Sequence, residues 1–177
     1  MKKLALTGGI GTGKTFISRM FIEDGIPVFY ADDEAKKLYA RADVLADVRK
    51  LFGDEVFDGD RLNFGRLGAI IFANAEKKAQ LEALIHPLVM EAFNQWAAQQ
   101  NADIVMMESA IIFEAHLESY FDKIIVVHAS LPVRIKRIQR RNPELSEAEI
   151  MRRINAQLDQ EIKCHLADEV IDHEEDI

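Results

Sequence analysis

Apolar residues along the chain follow two periodicities. Short unbroken runs of aliphatic and β-branched residues stand at residues 3–7, at Pro27-Val28-Phe29-Tyr30, at Ile104-Val105-Met106-Met107, at Ile124-Ile125-Val126-Val127 and at Val170-Ile171. Runs of this length without polar alternation suit strands covered on both faces, as in a parallel sheet. Between them, residues 13–24, 33–51, 76–100, 131–141 and 146–165 carry apolar positions at helical spacing. Alternating strands and helices predict an α/β fold around a parallel sheet. Residues 33–101 interrupt the alternation, with helical stretches and turns such as Phe52-Gly53-Asp54 and Asp58-Gly59-Asp60 but no central strand. The expected organisation is a core of residues 1–32 and 102–177 carrying a helical insertion, residues 33–101. No internal repeat is visible.

The first apolar run leads directly into Gly8-Gly9-Ile10-Gly11-Thr12-Gly13-Lys14-Thr15, which matches the phosphate-binding P-loop pattern at each fixed position. Strand, glycine loop and helix are the context that this motif requires. The expected nucleotide contacts are Gly9, Gly11, Thr12, Gly13, Lys14, Thr15 and Phe16. Glycines bring backbone N–H groups close to phosphate oxygens, and the positive end of the following helix faces the same anion. Lys14 supplies an ammonium to the β- and γ-phosphates, and Thr15 a hydroxyl to Mg²⁺. Phe16 lies in the first helical turn, so its N–H is expected unpaired and directed at the α-phosphate, with its ring packed inward. The fold expected is thus a P-loop NTPase core of the nucleotide-kinase type, with ATP and Mg²⁺ as cofactors and the insertion binding the phosphoryl acceptor.

Ligands of parallel α/β folds gather at the carboxyl ends of the strands, where Asp32 and Glu108 are expected. Asp32 reads as the N-cap of the following helix and, beside a P-loop, as a base for an acceptor hydroxyl; the two roles are compatible. Glu108 follows four apolar residues and reads as a Mg²⁺ contact through water, although Asp is usual there. Arg137 and Arg141 stand one helical turn apart, which suits either a solvated basic face or two lid arginines neutralising a transferring phosphoryl group. Asn142-Pro143-Glu144-Leu145-Ser146 then breaks the helix, and Ser146 with Glu149 forms a capping-box pattern, so residues 137–147 have the form of a lid. His86-Pro87 lies inside a helical pattern, where proline kinks or restarts the helix and the imidazole is a lesser candidate for acceptor binding. Phe93 and Trp96 share a face suited to a core.

Composition narrows the partners. With 49% hydrophobic and 29% charged residues the chain has the makeup of a soluble globular protein. A formal charge of −8 disfavours a broad basic platform for nucleic acid, so anions must be held locally. The densest positive segment is Arg134, Lys136, Arg137, Arg140 and Arg141, while the acidic tail from Asp172 to Asp176 reads as solvated. No run approaches the roughly 18 apolar residues of a membrane span. The first strand follows Met1 too closely to leave room for a signal peptide, and the single Cys164 can form no internal disulfide; both point to the cytoplasm. A monomer is expected.

Taken together, these segments resemble the dephospho-CoA kinase family over most of the chain. Thr7 to Lys14 is similar to the family's opening, Val28-Phe29-Tyr30-Ala31-Asp32 to its second strand, and Leu84-Ile85-His86-Pro87-Leu88-Val89 to its His-Pro helix. Ile111-Ile112-Phe113-Glu114 resembles its Leu-Leu-Phe-Glu segment; Arg137, Arg141, Gln157, Lys163 and Ala167-Asp168-Glu169-Val170-Ile171 resemble its lid and closing strand. The resemblance implies transfer of phosphoryl from ATP to the ribose 3′-hydroxyl of dephospho-CoA. It gives Asp32 the role of general base, assigns residues 33–101 to the pantetheine-bearing substrate, and raises His86 as a substrate contact. Departures occur at Tyr30, where many members have Asp, at Ala110 in place of Pro, at Asn63-Phe64, where a cation usually stands, and at His173 in place of Asn. Arg66 is the candidate to replace the missing cation.

Rival P-loop functions leave other traces. A regulatory GTPase would carry Asn-Lys-x-Asp and Asp-x-x-Gly motifs, and a transporter ATPase a Ser-Gly-Gly-Gln segment; the chain has none of them. Kinases of nucleoside monophosphates, shikimate or gluconate share the fold and loop, and only the insertion with its His-Pro helix separates them.

Overall fold

A computed structural model describes residues 1–175 of the chain. Two compact units are present: residues Met1–Tyr30 with Ala97–Ile177, and residues Ala31–Trp96. Asp176, at the end of the acidic tail, lies outside the described residues.

The first unit is built on a 5-stranded sheet of β1 (Lys2–Thr7), β2 (Val28–Tyr30), β5 (Ile104–Glu108), β6 (Lys123–His128) and β7 (Glu169–Asp172), in the order β2-β5-β1-β6-β7. Every neighbouring pair is parallel, as the unbroken apolar runs predict. Helix α1 (Lys14–Glu23) sets Ile17 against Leu6, Met106, Ile125 and Val127, so one helical side chain draws three strands into one core. The chain leaves β1 toward β2 on one side of the sheet and leaves β6 toward β7 on the other. β1 and β6 are neighbours, so the loop after β1 opens at a switch point, where parallel sheets bind ligands. Helices α6 (Leu131–Arg141), α7 (Glu147–Asn155) and α8 (Gln160–Leu166) join β6 to β7. One helix over 146–165 was the expectation from periodicity. The chain instead breaks at Ala156–Asp159, where Asp159 caps α8 by accepting from the N–H groups of Glu161 and Ile162.

The second unit holds α2 (Ala31–Leu38), α3 (Ala42–Phe52), a short hairpin of β3 (Phe57–Asp58) and β4 (Arg61–Leu62), α4 (Phe64–Ala73) and most of α5 (Ala75–Ala98). Periodicity suggests one helix over 33–51, whereas a turn at residues 39–41 divides it. α4 escapes the pattern because Gly65 and Gly68 weaken its propensity and its apolar residues surround the axis, but Asn63 starts it by accepting from Arg66 N–H at 3.1 Å. α5 runs through Pro87 as one helix, so the proline does not restart it. Phe93 is fully buried and stacks on Trp96 with ring centroids 6.1 Å apart.

Candidate active site

The loop between β1 and α1 is shaped by its glycines. Gly13, at φ 95°, is the left-handed N-cap of α1, a conformation that L side chains seldom adopt. Thr12 is fully buried and closes the loop on itself, its hydroxyl donating to Gly9 O at 2.9 Å. Lys14 Nζ donates to the carbonyls of Gly8 and Gly9 at 3.0 and 3.4 Å, so the ammonium lies over the loop from which a phosphate would draw it. Phe16 departs from expectation twice. Its N–H donates to Gly13 O at 2.9 Å in a tight first turn, and its ring stays partly exposed, stacked on His173 with centroids 5.1 Å apart.

Glu108 ends β5 between Leu6 on β1 and Tyr30 on β2 and is nearly buried. Its Oε2 accepts from Thr15 Oγ1 at 3.4 Å, which brings a strand-end carboxylate to the hydroxyl of the P-loop. Among the described residues no group of three or more His, Cys, Asp or Glu side chains could hold a metal ion. The pair nonetheless suits Mg²⁺: both groups are hard oxygen donors, and this ion takes one or two protein oxygens, completing its shell with phosphates and water. Tyr30 O–H and Ser18 Oγ lie 3.0 Å apart, and Ser18 Oγ also donates to Thr15 O at 3.0 Å, so the tyrosine at the end of β2 braces the helix that carries Thr15.

Two guanidinium groups close over the loop from α6. Arg137 is buried and donates to Gly11 O at 3.3 Å, to Thr12 O at 3.0 Å and to His173 O at 3.0 Å, and also to Glu175 O. Arg141, one turn later, is exposed, so the two arginines do not share an environment. Arg134 is also buried and donates from Nε to Ile10 O at 2.9 Å; a Cβ at Gly9 would overlap its guanidinium. Burial pulls the Arg134 pKa down, and the Asp159 carboxylate opposes that shift. The sequence marks Arg134 only as part of a basic cluster; its spacing of three from Arg137 is the signal that both face inward. Ser146 and Glu149 form the capping box that starts α7, as the pattern predicts.

The other sequence candidates lie in the second unit. Asp32 is exposed in the first turn of α2, two residues beyond the end of β2. It is not an N-cap, because α2 begins at Ala31, directly after the strand. Arg66 donates to the carbonyls of Glu55 and Phe57 at 3.3 and 3.2 Å and pairs with Asp58 at 2.9 Å, bracing the hairpin. His86 is half-buried on α5, and burial lowers its pKa; Glu82 opposes that shift and Lys78 adds to it. No helix among the described residues is long and apolar enough to cross a membrane.

A family model described as dephospho-CoA kinase matches residues 3–177. A dephospho-CoA kinase of Bacteroides fragilis is 39% identical over 171 residues, covering 96% of this chain and 83% of that protein. The crystal structure of a Thermus thermophilus protein superposes with a TM-score of 0.88 at 29% identity, over 98% of this chain and 89% of that one. Dephospho-CoA kinase from Campylobacter jejuni superposes with a TM-score of 0.66 at 25% identity, over 98% and 89% of the two chains.

Proposed function

The chain belongs to the dephospho-CoA kinase family, and from that premise we propose that it transfers the γ-phosphoryl group of ATP to the ribose 3′-hydroxyl of dephospho-CoA, giving coenzyme A and ADP in the last step of coenzyme A biosynthesis. The observation that carries the reading is the P-loop with Thr15 and Glu108 brought together beside it. Gly9, Gly11, Thr12 and Gly13 line the phosphate cradle, and the positive end of α1 adds to its field. Lys14 exchanges its loop carbonyls for the β- and γ-phosphate oxygens. Thr15, with Glu108 through water, would hold Mg²⁺, which when bound neutralises phosphate charge.

Asp32 takes the proton of the 3′-hydroxyl as its oxygen bonds to the γ-phosphorus and the bond to the β-phosphate oxygen breaks. Arg137 contributes a fixed positive charge at the cradle, and Arg141 is the mobile lid arginine. His86 and Arg66 belong to the acceptor side, within a unit that grips the pantetheine-bearing substrate. We assign the protein to the cytoplasm, as a monomer.

The test is ADP release from Mg-ATP with no acceptor, dephospho-CoA, nucleoside monophosphates, shikimate or gluconate. Acceleration by dephospho-CoA alone, with coenzyme A as product, supports the reading. Turnover only with another acceptor, or with none, overturns it.

A further inference from the structure

Ile10, at the tip of the P-loop, has both of its backbone polar groups held by side chains from distant parts of the chain. Its N–H donates to Gln157 Oε1 at 2.7 Å, and its carbonyl accepts from Arg134 Nε at 2.9 Å. Arg134 lies on α6 before the connector Asn142–Ser146, and Gln157 lies just after α7, so the two contacts come from the two sides of the proposed lid.

Each contact is itself anchored. Arg134 is buried, its guanidinium fills the space above Gly9, and its own carbonyl oxygen would lie 2.8 Å from a Cβ at Gly11, so α6 rests directly on the loop. Gln157 precedes Leu158, whose N–H donates to Glu114 Oε1 at 3.0 Å, and Asp159, which caps α8. The turn that presents the glutamine oxygen is therefore fixed on its C-terminal side.

A glycine-rich loop would otherwise lose backbone freedom when it closes on a triphosphate, at a cost in affinity. We propose that Arg134 and Gln157 are positioning residues that clamp the two peptide units flanking the Ile10 Cα, presetting the phosphate cradle and fixing the roots of the lid to it. Neither side chain needs to touch nucleotide; both act through the backbone of Ile10. The inference rests on the kinase reading for the identity of the ligand, but it is tested by nucleotide binding without acceptor.

The experiment compares Gln157→Leu, Arg134→Met and the double variant with the unaltered protein. ATP affinity is measured by calorimetry, and hydrogen exchange at the Ile10 amide in nucleotide-free protein. Each single variant should weaken ATP binding by about 5–30-fold, the factor that one or two kcal/mol represents. Because both act on the backbone of one residue, through the two peptide units that flank its Cα, the double variant should lose far less than the product of the two factors. Gln157→Leu should speed exchange at Ile10, and Gln157→Glu, which keeps an acceptor oxygen, should restore slow exchange. Gln157 is only half-buried, so its variants carry the test even where Arg134→Met does not fold. ATP affinity within twofold in Gln157→Leu, unchanged exchange at Ile10, or multiplicative losses in a folded double variant would overturn the clamp. ATP binding that obeys these expectations in a protein that phosphorylates no dephospho-CoA would leave the clamp standing and remove the function.

Discussion

Lys163 Nζ lies 2.7 Å from Glu114 Oε1, and the lysine side chain is wholly buried. The same ammonium donates to Ala110 O at 2.7 Å, and the same carboxylate oxygen accepts from Leu158 N–H. One ion pair thus ties α8 and the turn before it to the segment after β5.

Breaking that pair should be costly, because the remaining charge would be left in a site without its counter-ion. Glu114→Gln or Lys163→Met is expected to lower the free energy of unfolding by about 3–5 kcal/mol, read from urea denaturation. Removing both charges together, as Glu114→Leu with Lys163→Met, should recover part of that loss. A single-variant loss well below 1 kcal/mol would mean that water reaches the pair and screens it.

Lys14 and Asp32 should separate binding from chemistry. Lys14→Ala removes the ammonium that meets the phosphates, so ATP affinity and turnover should fall together. Asp32→Asn removes only a proton acceptor, so ATP affinity should hold while kcat falls by about 10²–10⁴-fold. Full turnover by Asp32→Asn in a coupled ADP assay would remove the base assignment.

Glu108→Gln keeps the shape at the end of β5 and removes its charge. The Mg²⁺ concentration giving half-maximal rate should rise by roughly 10–100-fold, the usual effect of losing a supporting group at a metal site. ATP binding measured without metal should change little. An unchanged Mg²⁺ requirement would place the ion elsewhere.

Much of the fold was legible because its signals are local. Unbroken apolar runs located the strands of the sheet, and a glycine at φ 95° just before Lys14 is what the P-loop spacing demands. Ser146 and Glu149 lie three residues apart, so their capping box was visible as well. Contacts across long separations left no such trace: Arg134 meets Ile10 across 124 positions and Gln157 meets it across 147. α4 was hidden by its glycines, and the two-residue strands at Phe57 and Arg61 are too short to show alternation. The outward stacking of the Phe16 ring leaves no local trace either, because its partner, His173, lies at the far end of the chain.

His86 gives the chain a pH dependence of defined sign. Burial holds its folded pKa below the ordinary histidine value, while the unfolded chain titrates near about 6.5. Between those two values the unfolded state binds more protons, so stability increases with pH there. The contribution is complete above the unfolded pKa and is lost as pH falls through the folded pKa. Urea midpoints of the parent and His86→Gln, compared from pH 7.5 down to 5, should show the parent losing more stability; the remaining histidines are common to both and cancel. A constant difference across that range would show that burial does not depress the ring. At neutral pH the depressed pKa leaves the imidazole uncharged, so a contact from His86 to the acceptor would be a hydrogen bond rather than an ion pair, and raising the salt concentration should leave the acceptor KM contribution of this residue unchanged.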